Sequence, residues 1–288
     1  MSARFDTALG LSTKRGPLSK IVKFLLYAVL VLIFAGPLIA LLISSFGKVT
    51  DPTKLSFIPH QLTLDNYRVA ASRQVFKYLL NSLIVVGFGL ALQILVSISA
   101  AYALARKRFP GMHLVLLLIL STMTLPEEVL AIPLSLVLGD LPVLHISLLG
   151  SLVGMIVPVA AWGFSILVMS EFMKEIPIEL DEAARIDGAG ELRLFWSVVL
   201  PLCRPAIGVI AIFGFAMIWD QYMLPLLVAQ SSEQFTIGLA LRTLRSDEQV
   251  GIGVLLAGTV LALVPSVVMF LSFQRQFMKG LTSGAVKG

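Results

Sequence analysis

The amino-acid sequence predicts an all-α polytopic membrane protein, and two observations predict it: the composition and the length of the uncharged segments. Hydrophobic residues make up 57% of the 288 residues and charged residues 14%, against roughly 45–50% and about 25% in soluble domains. The mean hydropathy is +0.93. A membrane-spanning helix needs about 20 mainly apolar residues, and several segments are that long. The composition excludes a soluble enzyme, a coiled coil and a disordered chain.

Six transmembrane helices are predicted within residues 24–274. Four of them are runs without Asp, Glu, Lys or Arg. The third and fifth are interrupted, because the third carries Glu127 and Glu128 behind Pro126 and the fifth carries Asp220. A short surface helix is predicted near residues 64–74. The six runs cover residues 24–47, 78–105, 112–134, 141–170, 205–229 and 250–274.

The N-terminal arm, residues 1–23, sets the predicted orientation. Its basic residues outnumber its acidic ones, and basic segments stay on the cytoplasmic side of a membrane. The apolar core that follows is too long for a cleaved signal peptide and predicts an anchor. With six spans, the tail, residues 275–288, is then cytoplasmic as well. The net charge of +5 therefore indicates membrane orientation and lipid contact, and no nucleic acid partner is expected.

The loop 171–204 holds a dense group of charges between apolar runs and predicts a helix, a turn and a second helix. Pro177 suits a helix start, and Gly188 suits the left-handed position that ends one. After the turn, Leu192, Phe195 and Trp196 form one apolar stripe. Two interpretations stay open. The loop is a cytoplasmic docking element with small residues at its centre, or it is an amphipathic helix pair lying on the lipid surface.

An ordered series of motifs carries a resemblance to a known family. The chain resembles the permease subunits of ATP-binding-cassette (ABC) importers, and within them the carbohydrate-uptake group that includes the maltose permeases. The resemblance covers roughly residues 20–288. The matching residues are Glu182-Ala183-Ala184, Arg185 to Ala189, Leu200-Pro201-Leu202, Ala101 to Arg106, Arg108 to Gly111 and Gln274 to Gly288.

The resemblance implies a fold, a role and partners. The fold is that of a type I ABC importer permease, in a bacterial inner membrane with both termini cytoplasmic. The partners are a second permease subunit, two ABC ATPase subunits and an extracytoplasmic solute-binding protein. ATP and Mg²⁺ belong to the ATPase, and no cofactor is expected in this chain. The resemblance gives the ATPase-coupling role to Glu182, Ala183, Ala184, Asp187 and Gly188, and a contact with the ATPase to the tail residues Thr282, Ser283 and Gly284.

An acid with aromatic neighbours lies in the fifth span. Asp220 would be costly in hydrocarbon and is expected to face a cavity or a partner. Together with Phe215, Trp219 and Tyr222 it forms a candidate substrate pathway, because aromatic faces stack on sugar C–H surfaces and a carboxylate accepts hydrogen bonds from hydroxyls. The equal alternative is an aromatic belt at the membrane interface with an acid that lines a gate.

The sequence offers no enzyme chemistry. It contains no glycine-lysine phosphate loop, and its three His residues and one Cys have no metal-ligand spacing, so no catalytic or metal site is predicted. The alternative function is a secondary transporter driven by an ion gradient, with Asp220 as the coupling carboxylate. An intramembrane hydrolase is a remote third possibility, because no Ser/His or paired-aspartate arrangement is present.

Overall fold

The computed structural model of the chain describes residues 17–47, 61–246 and 251–285. The described residues fall into two compact units. One lies within Met1–Ala70 and Glu248–Val260, and the other lies within Ala71–Asp247 and Leu261–Gly288.

The described residues are helical, and no β-strand occurs among them. Short 3₁₀ segments occupy Pro158–Ala161 and Ser232–Gln234, and a π-helical turn occupies Phe195–Val199. The α-helices are α1 (Pro17–Ser45), α2 (Asp65–Ser72), α3 (Val75–Arg106), α4 (Met112–Thr124), α5 (Glu127–Gly139), α6 (Val153–Ile156), α7 (Gly163–Glu175), α8 (Ile178–Ile186), α9 (Glu191–Leu194), α10 (Leu200–Leu202), α11 (Arg204–Trp219), α12 (Met223–Val228), α13 (Ile237–Ser246) and α14 (Ile252–Ala285).

The helices confirm the six apolar segments and the two predicted interruptions. Within the described ranges, three helices are long and apolar enough to span a membrane without a break: α1, α3 and α14. Three further spans are possible if each bent helix pair counts as one. These pairs bend by 111° between α4 and α5, by 42° at the start of α7, and by 69° between α10 and α11. The predicted surface helix is α2.

One predicted span, the fourth, is wrong in its continuity. The fourth run does not begin as a helix at Leu141, because Gly150 takes a left-handed conformation (φ +73°) and its N–H bonds to the carbonyl of Val228 (2.7 Å). Helix starts only at Val153 and breaks again before α7. In the fifth run the predicted interruption at Asp220 is confirmed, because α11 ends at Trp219 and α12 starts only at Met223.

In the first unit, α1 is a long apolar helix with many exposed large side chains, among them Phe24 and Phe34. Such a surface requires lipid or a partner around it. The C-terminal end of α1 contacts α2, where the Asn66 amide donates to the carbonyls of Ser45 (2.8 Å) and Gly47 (2.9 Å). These bonds fix the short surface helix against the end of α1.

In the second unit, two groups of buried apolar residues hold the helices together. Both groups contain residues of α3, which therefore lies at the centre of this unit. The first core cluster consists of Ile98, Ala101, Met169, Met173, Leu194, Val199, Cys203, Ala206 and Ile210. The second core cluster consists of Val85, Val86, Leu138, Met155, Val159, Ile218, Leu224 and Val228.

Buried polar side chains along α3 join it to its neighbours. Asn81 donates to the carbonyls of Glu233 and Phe235 (2.9 and 3.0 Å). Gln93, fully buried, donates to the carbonyl of Val159 (3.3 Å), and Ser97 shares a 2.7 Å hydrogen bond with a serine of α7. Each such bond between membrane helices contributes about 0.6 kcal/mol. Together they fix the register of α3.

Candidate functional site

The charged loop 171–204 begins as its sequence predicts. α8 starts immediately after Pro177, which is its N-cap residue. A proline ring clashes with a preceding helical turn, so Pro177 marks the start of the helix. The acidic residues Glu179 and Asp181 lie in the first turn, where the partial positive charge of the helix N-terminus favours carboxylates. The predicted first helix of the loop is confirmed.

The end of α8 is a Schellman motif, which confirms the left-handed glycine. Gly188 has φ +79°. Its N–H bonds to the carbonyl of Arg185 (3.0 Å), and the N–H of Ala189 bonds to the carbonyl of Ala184 (2.9 Å). This pair of bonds satisfies carbonyls that the helix end would leave unbonded. The turn is therefore determined by local backbone chemistry.

α8 has two different faces. Glu182, Ala183 and Ile186 are exposed on one face, with Ile186 86% exposed. Asp181 is buried on the other, and Ala184 is half-buried against the first core cluster. The two alanines of the motif thus point in different directions, since only Ala183 is open to a partner. The exposed members of the predicted coupling set are Glu182, Ala183, Asp187 and Gly188.

A buried ion pair links α8 to the end of α3. Arg106 Nε lies 3.3 Å from Asp181 Oδ2, with the two side chains 7% and 4% exposed. The guanidinium also donates through Nη2 to the carbonyl of Ile176 (2.9 Å), just before α8. Sequence reasoning missed this pair. A signal was present, since Arg106 ends one of the motifs that carry the family resemblance and Asp181 immediately precedes another.

Glu191, at the start of α9, joins three segments at the surface. Lys107 lies 2.7 Å from its Oε2, the Tyr102 hydroxyl donates to Oε2 (2.8 Å), and Arg185 donates to Oε1 (3.0 Å). The hydrogen bonds from Lys107 and then from Tyr102 hold the pKa of Glu191 below its usual range. Because these groups are about half exposed, each pair contributes little to stability.

The apolar stripe predicted after the turn is divided in the structure. Leu192 and Trp196 are exposed by 77% and 58%. Phe195 instead packs inward on the first core cluster and edge-on against Tyr102, with ring centroids 5.1 Å apart. The π-helical turn that begins at Phe195 adds a residue and rotates the following side chains. The prediction of a single stripe is therefore wrong.

The four candidate pathway residues do not form one cluster. Phe215 and Trp219 stack (5.4 Å between centroids, 12° between planes) and pack on the second core cluster. Asp220 is exposed just after α11 ends. Tyr222 lies under the guanidinium of Arg242, 4.0 Å from the ring centroid. The break that separates α11 from α12 sends these side chains in different directions.

A cavity of about 460 Å³ lies beside these residues, at the break between α4 and α5. None of the four candidate pathway residues lines it. Trp162 and Phe164 line it with rings 4.8 Å apart. Glu127 and Gln221 also line it, and the Gln221 amide donates to Glu127 Oε1 (3.2 Å). The cavity thus combines apolar aromatic faces with an amide and a carboxylate, which are the groups that bind a polyhydroxylated ligand.

Sequence reasoning missed these cavity residues for an identifiable reason. Glu127 follows Pro126 and Gln221 follows Asp220, and neither residue belongs to a binding motif. Trp162 and Phe164 lie in an apolar run without a marker. The available signal was Pro126, which breaks an apolar run immediately before a carboxylate.

The backbone of α14 is helical through Ala285, so Thr282, Ser283 and Gly284 belong to its last turn. Among the described residues, no group of three or more His, Cys, Asp or Glu side chains is arranged to hold a metal ion.

A comparison with protein-family models matches residues 93–279 to the family "Binding-protein-dependent transport system inner membrane component". The chain is also similar to the arabinooligosaccharides transport system permease protein AraQ of Halalkalibacterium halodurans. The two are 32% identical over 268 residues, which cover 91% of this chain and 94% of that protein.

Two solved structures share the fold. One is a bacterial ABC transporter involved in the import of the acidic polysaccharide alginate, with a TM-score of 0.77 and 22% identity over 92% of this chain and 98% of that one. The other is a bacterial alginate ABC transporter in complex with an alginate pentasaccharide-bound periplasmic protein. Its TM-score is 0.66 and its identity 19%, over 89% of this chain and 95% of that one.

Proposed function

The chain belongs to the family of binding-protein-dependent transport system inner membrane components, and we propose that it forms half of the translocation pathway of an importer for a sugar or oligosaccharide. Its family and its apolar helices make it an integral inner membrane protein and an ABC importer permease. The family favours this function over a secondary transporter that uses Asp220.

The observation that carries the sugar assignment is the chemistry of the cavity. The faces of Trp162 and Phe164 offer stacking surfaces for the C–H side of a pyranose ring. Gln221 and Glu127 offer a donor and acceptors for hydroxyl groups, and few such polar groups in an apolar cleft are typical of small-molecule sites. The names of the arabinooligosaccharide and alginate transporters support the same substrate class.

Uptake in proteoliposomes tests this assignment. The complex is purified with its partners, reconstituted, and offered arabino-, chito- and galacto-oligosaccharides together with amino acids as the contrasting class. We expect ATP-dependent uptake of an oligosaccharide, and Trp162→Ala should lower it about fivefold, because it removes a stacking contact that contributes about 1 kcal/mol. Phe88→Ala, an exposed aromatic of α3 outside the cavity, is the matched control. Uptake of amino acids only would overturn the sugar assignment.

The exposed face of α8 supports an ATPase partner. Glu182, Ala183 and Ile186 together offer a carboxylate, a small residue and an apolar anchor on one side of a short helix. A helix that presents such a face fits a groove on a second protein. In this proposal two ABC ATPase subunits bind ATP and Mg²⁺ and dock on this face and on that of a second permease subunit. A solute-binding protein delivers the sugar from the other side.

Orientation and the tail complete the proposal. The basic arm favours cytoplasmic termini, and reporter fusions at Phe5 and Lys287 should both give cytoplasmic signals. An external signal from either fusion contradicts the orientation. The tail residues Thr282, Ser283 and Gly284 are small enough to enter a gap between two ATPases. Deleting residues 281–288 should lower ATP-coupled transport without lowering membrane insertion, and full transport by the truncated protein contradicts the tail contact.

A further inference from the structure

We infer that Arg106 and Asp181 form the tie through which movement of α8 is passed to α3, an inference that rests on the proposed function. Arg106 is the last residue of α3, and Asp181 lies in the first turn of α8. Their side chains meet across a separation of 75 positions in the chain, from 106 to 181. Neither residue belongs to the exposed face on which an ATPase would dock.

One guanidinium holds the start of α8 at two points. Arg106 Nη2 donates a hydrogen bond to the carbonyl of Ile176 (2.9 Å), two residues before α8 begins. Arg106 Nε faces Asp181 Oδ2 at 3.3 Å, three residues after α8 begins. The two contacts lie on either side of Pro177. A pull on α8 therefore acts on Arg106 directly.

Burial makes this tie stronger than the other ionic contact of the loop. The Arg106 and Asp181 side chains are 7% and 4% exposed, so water and salt screen their attraction little. Glu191 also links α8 and α9 to the end of α3, but it is 53% exposed and its ion pairs are weakened by solvent. A force on α8 is thus carried mainly by the buried pair.

The geometry of the pair suits two helices that move relative to each other. Arg106 Nε and Asp181 Oδ1 have no hydrogen-bond partner, although the charges are within 3.3 Å. The attraction is therefore mainly between charges, and it falls gradually with distance without a strict angular requirement. Such a contact persists through a small tilt of α8, whereas an aligned hydrogen bond would break.

α3 is a suitable receiver for the movement. Its inner end contributes Ile98 and Ala101 to the first core cluster, which also contains residues of α7 and α11. Close-packed interiors transmit displacement because they compress little. A shift of Arg106 therefore displaces the inner ends of several helices together. Arg106 and Asp181 are positioning residues in this scheme, since they act through the helices they join.

A neutral double variant separates transmission from simple stabilisation. Asp181→Asn or Arg106→Gln alone leaves one buried charge unpaired and is expected to lower the membrane level. Arg106→Gln with Asp181→Asn removes both charges, so the membrane level and ATPase co-purification should recover. The sugar transported per ATP hydrolysed should remain about tenfold below wild type, within the range typical of coupling between two sites. Wild-type coupling in the double variant would overturn the inference.

A distance measurement gives a readout that does not depend on the sugar. Spin labels are placed on Leu180 of α8 and on Arg108, two exposed positions outside the proposed docking face, in the whole complex and in a background in which the buried Cys203 is replaced by Ser. We expect a narrow distance distribution with the ion pair and a broad one in the neutral double variant. An unchanged distribution in that variant overturns the tie. If the wild-type complex imports no sugar, the proposed function fails, and this measurement still decides the tie.

Discussion

The charged loop around α8 and the cavity beside α5 differ in how the chain builds them. The loop is assembled within 34 consecutive positions, 171–204, and each of its boundaries has a local cause: Pro177 at the start and Gly188 at the end. The cavity is assembled from three distant stretches of the chain, within residues 122–134, 158–164 and 217–227, none of which has a binding motif. The comparison teaches that a docking surface can be encoded locally, whereas a translocation cavity depends on the packing of distant helices.

The largest expected effect is on docking. Ala183→Asp places an unpaired charge on the exposed face of α8, and burying it against a partner should cost about 3 kcal/mol. We expect the affinity for the ATPase to fall about a hundredfold, so that the ATPase no longer co-purifies. Membrane insertion should be normal. Ala184→Asp is less specific, because Ala184 packs on the first core cluster and its replacement should also lower the free energy of unfolding.

The matched control for docking adds the same carboxylate in the same loop. Gly190 has extended backbone (φ −72°, ψ 167°) at the N-cap of α9, and a Cβ added there meets no atom within 4 Å. Gly190→Asp should therefore keep the ATPase, since Asp is a favourable N-cap. Equal ATPase retention by Ala183→Asp and Gly190→Asp, at matched membrane levels, would contradict the docking face.

Two glycine replacements should distinguish a site that depends on packing between helices, Gly214, from a site that depends on the local backbone conformation, Gly188. A Cβ on Gly214 would collide with the side chains of Gln93 and Leu90 of α3, so Gly214→Ala should lower the free energy of unfolding by about 1–3 kcal/mol. Gly188→Ala should cost about 1–2 kcal/mol in the turn alone, because φ is positive there. Thermal unfolding should detect the first change, and ATPase co-purification the second.

Gly87→Ala is the control for both replacements, since a Cβ at Gly87 has no neighbour within 4 Å and the helical backbone tolerates alanine. It should leave the unfolding temperature and ATPase binding unchanged. A Gly214→Ala protein that unfolds at the wild-type temperature would show that α3 and α11 are packed less tightly than the contact with Gln93 indicates.

The effect expected from a change in the cavity is smaller. It concerns transport and leaves the stability of the protein nearly unchanged. Gln221→Leu removes the amide that bonds to Glu127 and should raise the KM for uptake by about tenfold, the value of about one lost hydrogen bond. The unfolding temperature should hardly change, because Glu127 is exposed. Thr124→Val, at the same helix break but outside the cavity lining, should transport normally. An unchanged KM for Gln221→Leu would exclude the amide from substrate contact.

The smallest expected effect is a loosening of the loop at acidic pH. The pKa of Glu191 is lowered in the folded state, so its network contributes stability above the ordinary range of a glutamate, and that contribution is lost as the pH falls through the lowered value. A spin label on the exposed Arg193 should become more mobile in that acidic range. Glu191→Gln should show the mobile signal at neutral pH already, with mild loss of function.

The sequence determined the parts of this protein that have local causes. Uncharged runs predicted the apolar segments, because a run of about 20 residues without charge is stable across hydrocarbon. The loop motif predicted α8 and its left-handed end at Gly188, since only short-range sterics and backbone hydrogen bonds are involved. Pro126 predicted the interruption in the third span for the same reason.

Tertiary structure decided which residues face each other. The late start of the helix at Val153 follows from a bond between Gly150 and Val228, the tie from Arg106 meeting Asp181, and the cavity from Trp162 and Gln221 coming together. It also decided that Ala183 faces outward and Ala184 inward. In each case the partners are distant in the chain, and their pairing depends on the summed packing of several helices, which the pattern of any one segment does not contain.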